Sequence, residues 1–143
     1  MSRKQAREDS FKMVFEAAVT GAGADELLNI FHETISDGDI WEQKKENPRD
    51  MAYMEAVIKG VEERQTEINA KITPYLKNWT VERIAKVSLA ILQLAVFEVL
   101  YMDDVPAGVA ANEAVDLAKK YGGDDAPAFV NGVMRSFIRE NVG

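Results

Sequence analysis

The sequence contains no cysteine and only one histidine, His32, among its 143 residues. The lack of cysteine excludes disulfide bonds and thiolate metal sites, and one histidine cannot build a metal site from several imidazoles. A phosphate-binding loop is also missing, since Gly122 and Gly123 are not followed by a Lys-Ser/Thr pair. We therefore expect a binding protein rather than an enzyme, with no cofactor, no metal and no catalytic residue.

A secretory signal and a long apolar run are likewise missing. The N-terminus, MSRKQARED, becomes polar where a signal peptide needs apolar residues. The most apolar segment, Ile84 to Tyr101, contains Lys86, Gln93 and Glu98, and it is shorter than the roughly 20 apolar residues of a membrane span. We interpret this segment as the central core helix, and we expect a cytoplasmic protein without a membrane partner.

Helical periodicity is the main pattern that the sequence does contain. Apolar residues recur three and four positions apart, and no segment alternates for long, which predicts an all-α protein. The predicted helices are Lys4–Thr20, Asp25–Ser36, Pro48–Tyr75, Ile84–Tyr101, Ala107–Tyr121 and Asp125–Glu140. The length fits one domain, residues 1–143, with an N-terminal helical layer over about residues 1–75 and a C-terminal layer over about 76–143.

Charge argues against a protein that coats nucleic acid indiscriminately, since the net charge is −7, but it permits a local basic site. At about 100° per residue, one stripe of the first helix, close to Arg3, contains Lys4, Arg7, Phe11 and Phe15. Cations bind phosphates and rings stack on unpaired bases, so the stripe suits single-stranded RNA. Alternatively, the rings form the edge of the core and the cations are solvated.

Gly132 interrupts the last predicted helix, where glycine costs roughly 1 kcal/mol relative to alanine. Either a ligand contacts bare backbone beside Phe129, or another helix approaches closely at this point. The two tryptophans, Trp41 and Trp79, stand beside predicted helix ends. We expect them to pack against the fold, with contact to a partner as the alternative.

Three stretches of the sequence resemble the NusB family of transcription antitermination factors. The most specific is VPAGVAANEAVDLAKKYGGDDAPAFVNGVM, from Val105 to Met134. The start, RKQAREDSFKMVFE, is similar to the family's basic first helix, and WTVERIAKVSLAILQLAVFEVL is similar to its central helix. The resemblance covers nearly the whole chain in the right order.

The resemblance implies a fold of about seven helices in two small packed bundles. It also implies binding to boxA-type RNA of ribosomal RNA leader transcripts, together with a small-subunit ribosomal protein acting as NusE, in the antitermination complex on RNA polymerase. Homodimers are possible in such a family. The RNA-binding positions that the resemblance implies are Arg3, Lys4, Arg7, Phe15, Asp125 and Phe129, with Asn131 as a weaker candidate.

Four positions depart from the family pattern. Gln93 stands where an arginine is common, Ser88 where an acidic residue is frequent, and Phe15 and Phe97 replace tyrosines. We expect Gln93 to remove a cation from the RNA surface, which makes RNA binding either weaker or more dependent on the ribosomal protein. This departure and the acidic balance of the chain both favour an alternative function, a helical protein-interaction module of the same fold with weak or no RNA binding. A third function, the RNA-binding domain of a ribosomal RNA methyltransferase, is disfavoured because no cofactor-binding domain follows Gly143.

Overall fold

The computed structural model describes residues 2–36, 47–77 and 79–142. Within these ranges the chain forms seven α-helices, one short 3-10 turn at Thr73–Tyr75 and no strand, so the predicted all-α class is confirmed. The helices are α1 (Arg3–Thr20), α2 (Ala24–Ser36), α3 (Pro48–Glu63), α4 (Gln65–Ile72), α5 (Lys86–Tyr101), α6 (Ala107–Tyr121) and α7 (Ala126–Asn141). The charge-rich segment 38–46, which contains Trp41, lies outside the described residues. None of the described helices has the length and apolarity needed to cross a membrane.

The first compact unit, Met1–Glu63, contains α1, α2 and α3. Helix α1 begins where the Ser2 hydroxyl accepts a hydrogen bond from the Gln5 backbone N–H at 3.0 Å. It ends at Gly21, whose φ of 79° lies in the left-handed region that glycine adopts without strain. Its core face packs mainly on α3 and includes the buried residues Ala6, Ser10, Met13 and Val14.

The second compact unit, Arg64–Gly143, contains α4 to α7. Helix α5 contacts α4, α6 and α7, and residues 91–98 are all buried. A helix that is apolar nearly all round needs neighbours on most sides, so the prediction of a central core helix is confirmed within this unit.

The predicted helix Pro48–Tyr75 is divided at Arg64 instead of running through. Helix α3 ends at Glu63 and belongs to the first unit, whereas α4 packs on α5 through the fully buried Ile68 and Ile72. The boundary between the two units therefore lies at residues 63 and 64, not near residue 75. Both pieces are helical by periodicity, and the division becomes visible only through what each piece packs against.

Candidate nucleic-acid interface

Two of the predicted cations of α1 share one aromatic ring of α3. The guanidinium carbon of Arg3 lies 4.5 Å from the ring centre of Tyr53, and that of Arg7 lies 5.6 Å from it. Arg3 also donates from Nε to Oδ1 of Asp50 at 3.1 Å. The two arginines are thus positioned by α3, with cation–π contacts worth roughly 0.5–1 kcal/mol where they are exposed.

The exposure of the α1 cations differs in a way that the sequence did not indicate. Lys4 is exposed, and the Arg3 side chain retains 33% of its accessible surface. Arg7 is only 5% exposed, because the α1–α3 packing covers it beside Tyr53. Arg3 and Lys4 therefore present accessible charge, and Arg7 stays a predicted RNA residue whose side chain lies mostly inside the unit.

The two phenylalanines of the α1 stripe are also separated by burial. Their ring centres lie 6.3 Å apart in a stacked arrangement, but Phe11 is 2% exposed whereas Phe15 is half-buried. Phe11 is a core residue, as the alternative from the sequence proposed. Phe15 retains surface for a ligand.

In the second unit, Asp125 and Phe129 lie together at the start of α7. The Phe129 backbone N–H donates to the Asp125 carbonyl oxygen at 3.2 Å, and the Asp125 side chain makes no capping hydrogen bond. Both residues line a cavity of about 540 Å³, together with Trp79, Arg83, Ser88 and Tyr121. The exposed Asp125 carboxylate makes this cavity acidic on one side.

A second cavity of about 360 Å³ shares two lining residues with the first. Phe129 and Trp79 line both cavities, and the second is also lined by Tyr75, Lys77, Gly132 and Ser136. Trp79, which we expected to pack, is 55% exposed. Trp79 and Lys77 were missed as candidate site residues because their position beside Phe129 depends on the tertiary fold. The only local signal was a tryptophan beside a predicted helix end.

Asn131 lies away from these cavities. At about 100° per residue it is rotated roughly 200° from Phe129 around α7. Its Oδ1 accepts a hydrogen bond from Arg135 Nε at 3.2 Å, and Arg135 Nη2 donates to Oδ1 of Asn112 on α6 at 2.8 Å. The structure brings Asp125 and Phe129 together and places Asn131 on a different face, where it stays a predicted RNA residue.

The surroundings of Gly132 decide between the two reasons proposed for this glycine, a ligand that contacts its backbone and a neighbouring helix that packs closely on it. No heavy atom of the described residues would lie within 4 Å of a Cβ atom at this position, apart from chain neighbours and the local helix backbone. The idea that Gly132 allows another helix to approach closely is therefore wrong for the described residues. Its backbone is bare and faces open space beside Phe129.

Gln93 does not belong to an RNA surface. It is 2% exposed, and its Nε2 donates to Oδ1 of Asn69 on α4 at 2.9 Å. The expectation that Gln93 removes a cation from the binding surface is wrong, because α4 packs over this position. Ser88 is 6% exposed and lines the larger cavity.

Comparisons with known proteins agree on one family. The NusB family profile matches residues 4–139. The transcription antitermination protein NusB of Clostridium tetani is 38% identical over 152 residues, covering 98% of this chain and 99% of that protein. T. maritima NusB superposes with a TM-score of 0.83 at 28% identity, covering 100% of this chain and 94% of that chain.

A further neighbour is a chain in the crystal structure of the antitermination factors NusB and NusE in complex with dsRNA. It superposes with a TM-score of 0.78 at 26% identity, covering 96% of both chains. Profile, sequence and structure agree over nearly the full length of the described chain, and on these grounds the protein belongs to the NusB family.

Proposed function

We propose that this protein is a transcription antitermination factor that binds boxA-type single-stranded RNA of ribosomal RNA leader transcripts, together with a small-subunit ribosomal protein acting as NusE. The observation that carries the proposal is the near full-length match to a transcription antitermination protein NusB. A structural neighbour, seen with NusE and dsRNA, supports RNA and a NusE-type protein as the two partners. Assembly on RNA polymerase in the cytoplasm, without catalytic activity, is part of the same proposal.

The residues that we assign to RNA form two groups. In the first unit, Arg3 and Lys4 offer accessible cations and Phe15 offers a half-buried ring, while Arg7 contributes from a mostly buried position. In the second unit the assigned residues are Asp125, Phe129 and, more weakly, Asn131. Arg3 suits a phosphate because Asp50 accepts from its Nε, whereas no described residue bonds its Nη groups.

An interaction module that reads no RNA is the alternative function. The acidic balance, with a net charge of −7, still favours it. Its second support is lost, since Gln93 is buried and says nothing about the surface charge. The RNA-binding function is therefore the better supported of the two.

Fluorescence anisotropy with a labelled boxA-type RNA, a scrambled RNA and a duplex tests the proposal. Each probe is titrated with the protein alone and with the purified ribosomal protein. We expect preferential binding of the boxA-type strand that tightens with the ribosomal protein. Equal, feeble binding to all three probes, despite a protein complex seen by sedimentation, would support the interaction module. The same sedimentation run reports whether the protein alone forms a homodimer.

A further inference from the structure

The smaller cavity of the second unit contains three features that the fold itself does not explain. We call it the Trp79 groove and define it by Lys77, Trp79, Phe129, Gly132 and Ser136, which lie along its lining. Its volume of about 360 Å³ lies within the range of small-ligand sites, about 300–1,000 Å³. Each of the three features is unfavourable for the protein alone, and all three lie on this one surface.

The first feature is Gly132 in the interior of α7. Glycine is among the least favourable residues inside a helix, and proteins keep it there where backbone must approach something closely. Among the described residues, an added Cβ at Gly132 would meet no atom within 4 Å outside its own stretch of helix, so no described side chain or neighbouring helix accounts for the glycine. The bare backbone is therefore available to a molecule outside this chain.

The second feature is the backbone of Lys77. Its φ of 57° lies in the left-handed region, and it is the only non-glycine residue with positive φ among those described. Lysine is not one of the residues that tolerate this conformation well, and glycine or asparagine would relieve it. Lys77 is exposed and lines the groove, so a residue that carries an ammonium group occupies this strained position.

The third feature is the pair of rings. Trp79 is 55% exposed, although a tryptophan gains most by burial, and Phe129 is half-buried. Both line the groove, so a flat ligand can contact two aromatic surfaces. Aromatic side chains on a groove are the common platform for unpaired bases, because every base has a face that stacks.

Charge separates this groove from the adjacent larger cavity. Lys77 is the only charged residue among the described lining of the Trp79 groove, whereas the larger cavity is lined by Asp124 and Asp125 as well as by Arg83. A cationic aromatic groove suits a phosphate-bearing, planar ligand, and it disfavours a basic protein segment. The occupant that fits all three features is one nucleotide of single-stranded RNA.

We propose that the Trp79 groove is a nucleotide subsite. The base contacts the rings of Trp79 and Phe129 and lies against the bare backbone at Gly132, and the phosphate contacts Lys77. This inference rests on the proposed RNA-binding function, and it adds Trp79, Lys77 and Gly132 to the residues that read the strand. No covalent step is involved.

The sharpest test is Gly132→Ala, for which stability and binding should change in opposite directions. Alanine is the better helix former, and its Cβ meets no atom of the described part of the chain, so the Tm should rise by about 2–5 °C. The new methyl group fills the space of the base, so affinity for the boxA-type RNA should fall roughly fivefold to tenfold. Gly108→Ala in the first turn of α6 is the matched control, since its Cβ also meets no atom of any residue that the structure describes, and it should leave RNA binding unchanged.

Lys77→Gly gives an independent test, in which stability should again rise while RNA affinity falls. Glycine relieves the positive φ and should raise the Tm, while loss of the cation should weaken RNA binding. The slope of the logarithm of the RNA association constant against the logarithm of the salt concentration should become less negative by about 0.7, the contribution of one phosphate contact to single-stranded RNA. The control is Arg139→Gln, near the end of α7 and about 15 Å along the helix from Phe129, which should leave the slope unchanged.

Tryptophan emission reports the contact directly. The chain has two tryptophans, so Trp41→Phe leaves Trp79 as the sole emitter. Saturating RNA should quench this emission, because a stacked base contacts the indole. Unchanged Trp79 emission at saturation, or tighter RNA binding by Gly132→Ala, would overturn the subsite.

Three further outcomes separate this inference from the proposed function. If the parent binds no RNA even with the ribosomal protein, the proposed function fails and the subsite fails with it. If Phe129→Ala or Arg3→Ala weakens binding whereas Lys77→Gly and Gly132→Ala bind like the parent, only the subsite is wrong. Weakened binding of the ribosomal protein by Gly132→Ala, with RNA affinity unchanged, would make the groove a protein contact instead.

Discussion

Arg3 and Asp50 form an ion pair between the first turn of α1 and the first turn of α3, with Nε of Arg3 3.1 Å from Oδ1 of Asp50. The Asp50 side chain is 9% exposed, and the Arg3 side chain is 33% exposed. The guanidinium also lies on the ring of Tyr53. Charge, hydrogen bond and ring together fix a side chain that would otherwise sample many rotamers.

This ion pair should contribute modestly to stability. We expect a coupling energy of about 0.5–1 kcal/mol from a double-mutant cycle of Arg3→Ala and Asp50→Ala, because solvent screens the arginine. Urea unfolding of the four proteins measures it. Asp50→Ala should also weaken RNA binding about twofold to threefold when Arg3 is present, since an unfixed arginine loses more rotamer entropy on binding. An equal loss in the Arg3→Ala background would mean that Asp50 does not act through Arg3.

Arg7→Ala and Lys4→Ala should separate folding from binding. Arg7 is 5% exposed beside Tyr53, so its truncation should cost about 1–3 kcal/mol of stability through lost packing and lost polar contacts. Lys4 is exposed, and its truncation should change stability by less than about 0.5 kcal/mol while weakening RNA binding. Thermal unfolding and anisotropy are measured side by side. A stable Arg7→Ala variant would contradict the burial argument.

Much of the fold follows from the sequence because apolar periodicity reports which faces are buried. The prediction of α5 as the core helix needed no knowledge of its neighbours, since residues 91–98 are apolar nearly all round. The break at Arg64 was not predictable in this way, because α3 and α4 have the same period and differ only in what they pack against. The hydrophobic pattern of a segment does not indicate which other segments it packs against.

The candidate site was predictable to a smaller extent. Phe129 and Asp125 were identified from the family resemblance, and helical periodicity placed Gly132 beside Phe129. The burial of Arg7 and Gln93 was not predictable, because it depends on Tyr53 and on Asn69, which are distant in sequence. Trp79 and Lys77 belong to no periodic stripe, so only the fold places them beside Phe129.

Phe129→Ala and Asn131→Ala compare two faces of α7. Phe129 lines both cavities, and its loss should weaken RNA binding roughly tenfold, since stacking on an aromatic side chain contributes about 1–3 kcal/mol per base. Asn131 lies on the face that carries Arg135, so its truncation should have a smaller effect on RNA. Far-ultraviolet circular dichroism should show unchanged helicity in both. An equal loss of affinity in the two variants would place the strand on the Asn131 face as well.

The hydroxyl of Tyr101 should lose its proton at a higher pH than the hydroxyl of an unperturbed tyrosine. Its hydroxyl donates to Oε2 of Glu67, and this hydrogen bond, with smaller contributions from desolvation and from the charge of Glu67, raises the pKa of Tyr101 above 10.0. Since the folded pKa is the higher one, the stabilisation is complete below pH 10.0 and is lost as the pH rises through the folded pKa. Tyrosinate absorbance measures the titration. Glu67→Ala should lower the pKa of Tyr101, and no change would contradict the hydrogen bond.

Gln93→Leu should weaken the fold and leave RNA binding as it is. The leucine keeps most of the side-chain volume but removes the donor to Asn69, whose half-buried amide oxygen then lacks its partner. An unpaired polar group of this kind costs about 1–3 kcal/mol when buried, and water reduces the loss where it can enter, so we expect about 1 kcal/mol in urea unfolding. Asn69→Ala in the same background should recover part of that loss, because it removes the unpaired group. RNA affinity should match the parent, since Gln93 is 2% exposed. If RNA affinity fell while the free energy of unfolding did not, residue 93 would contact RNA after all.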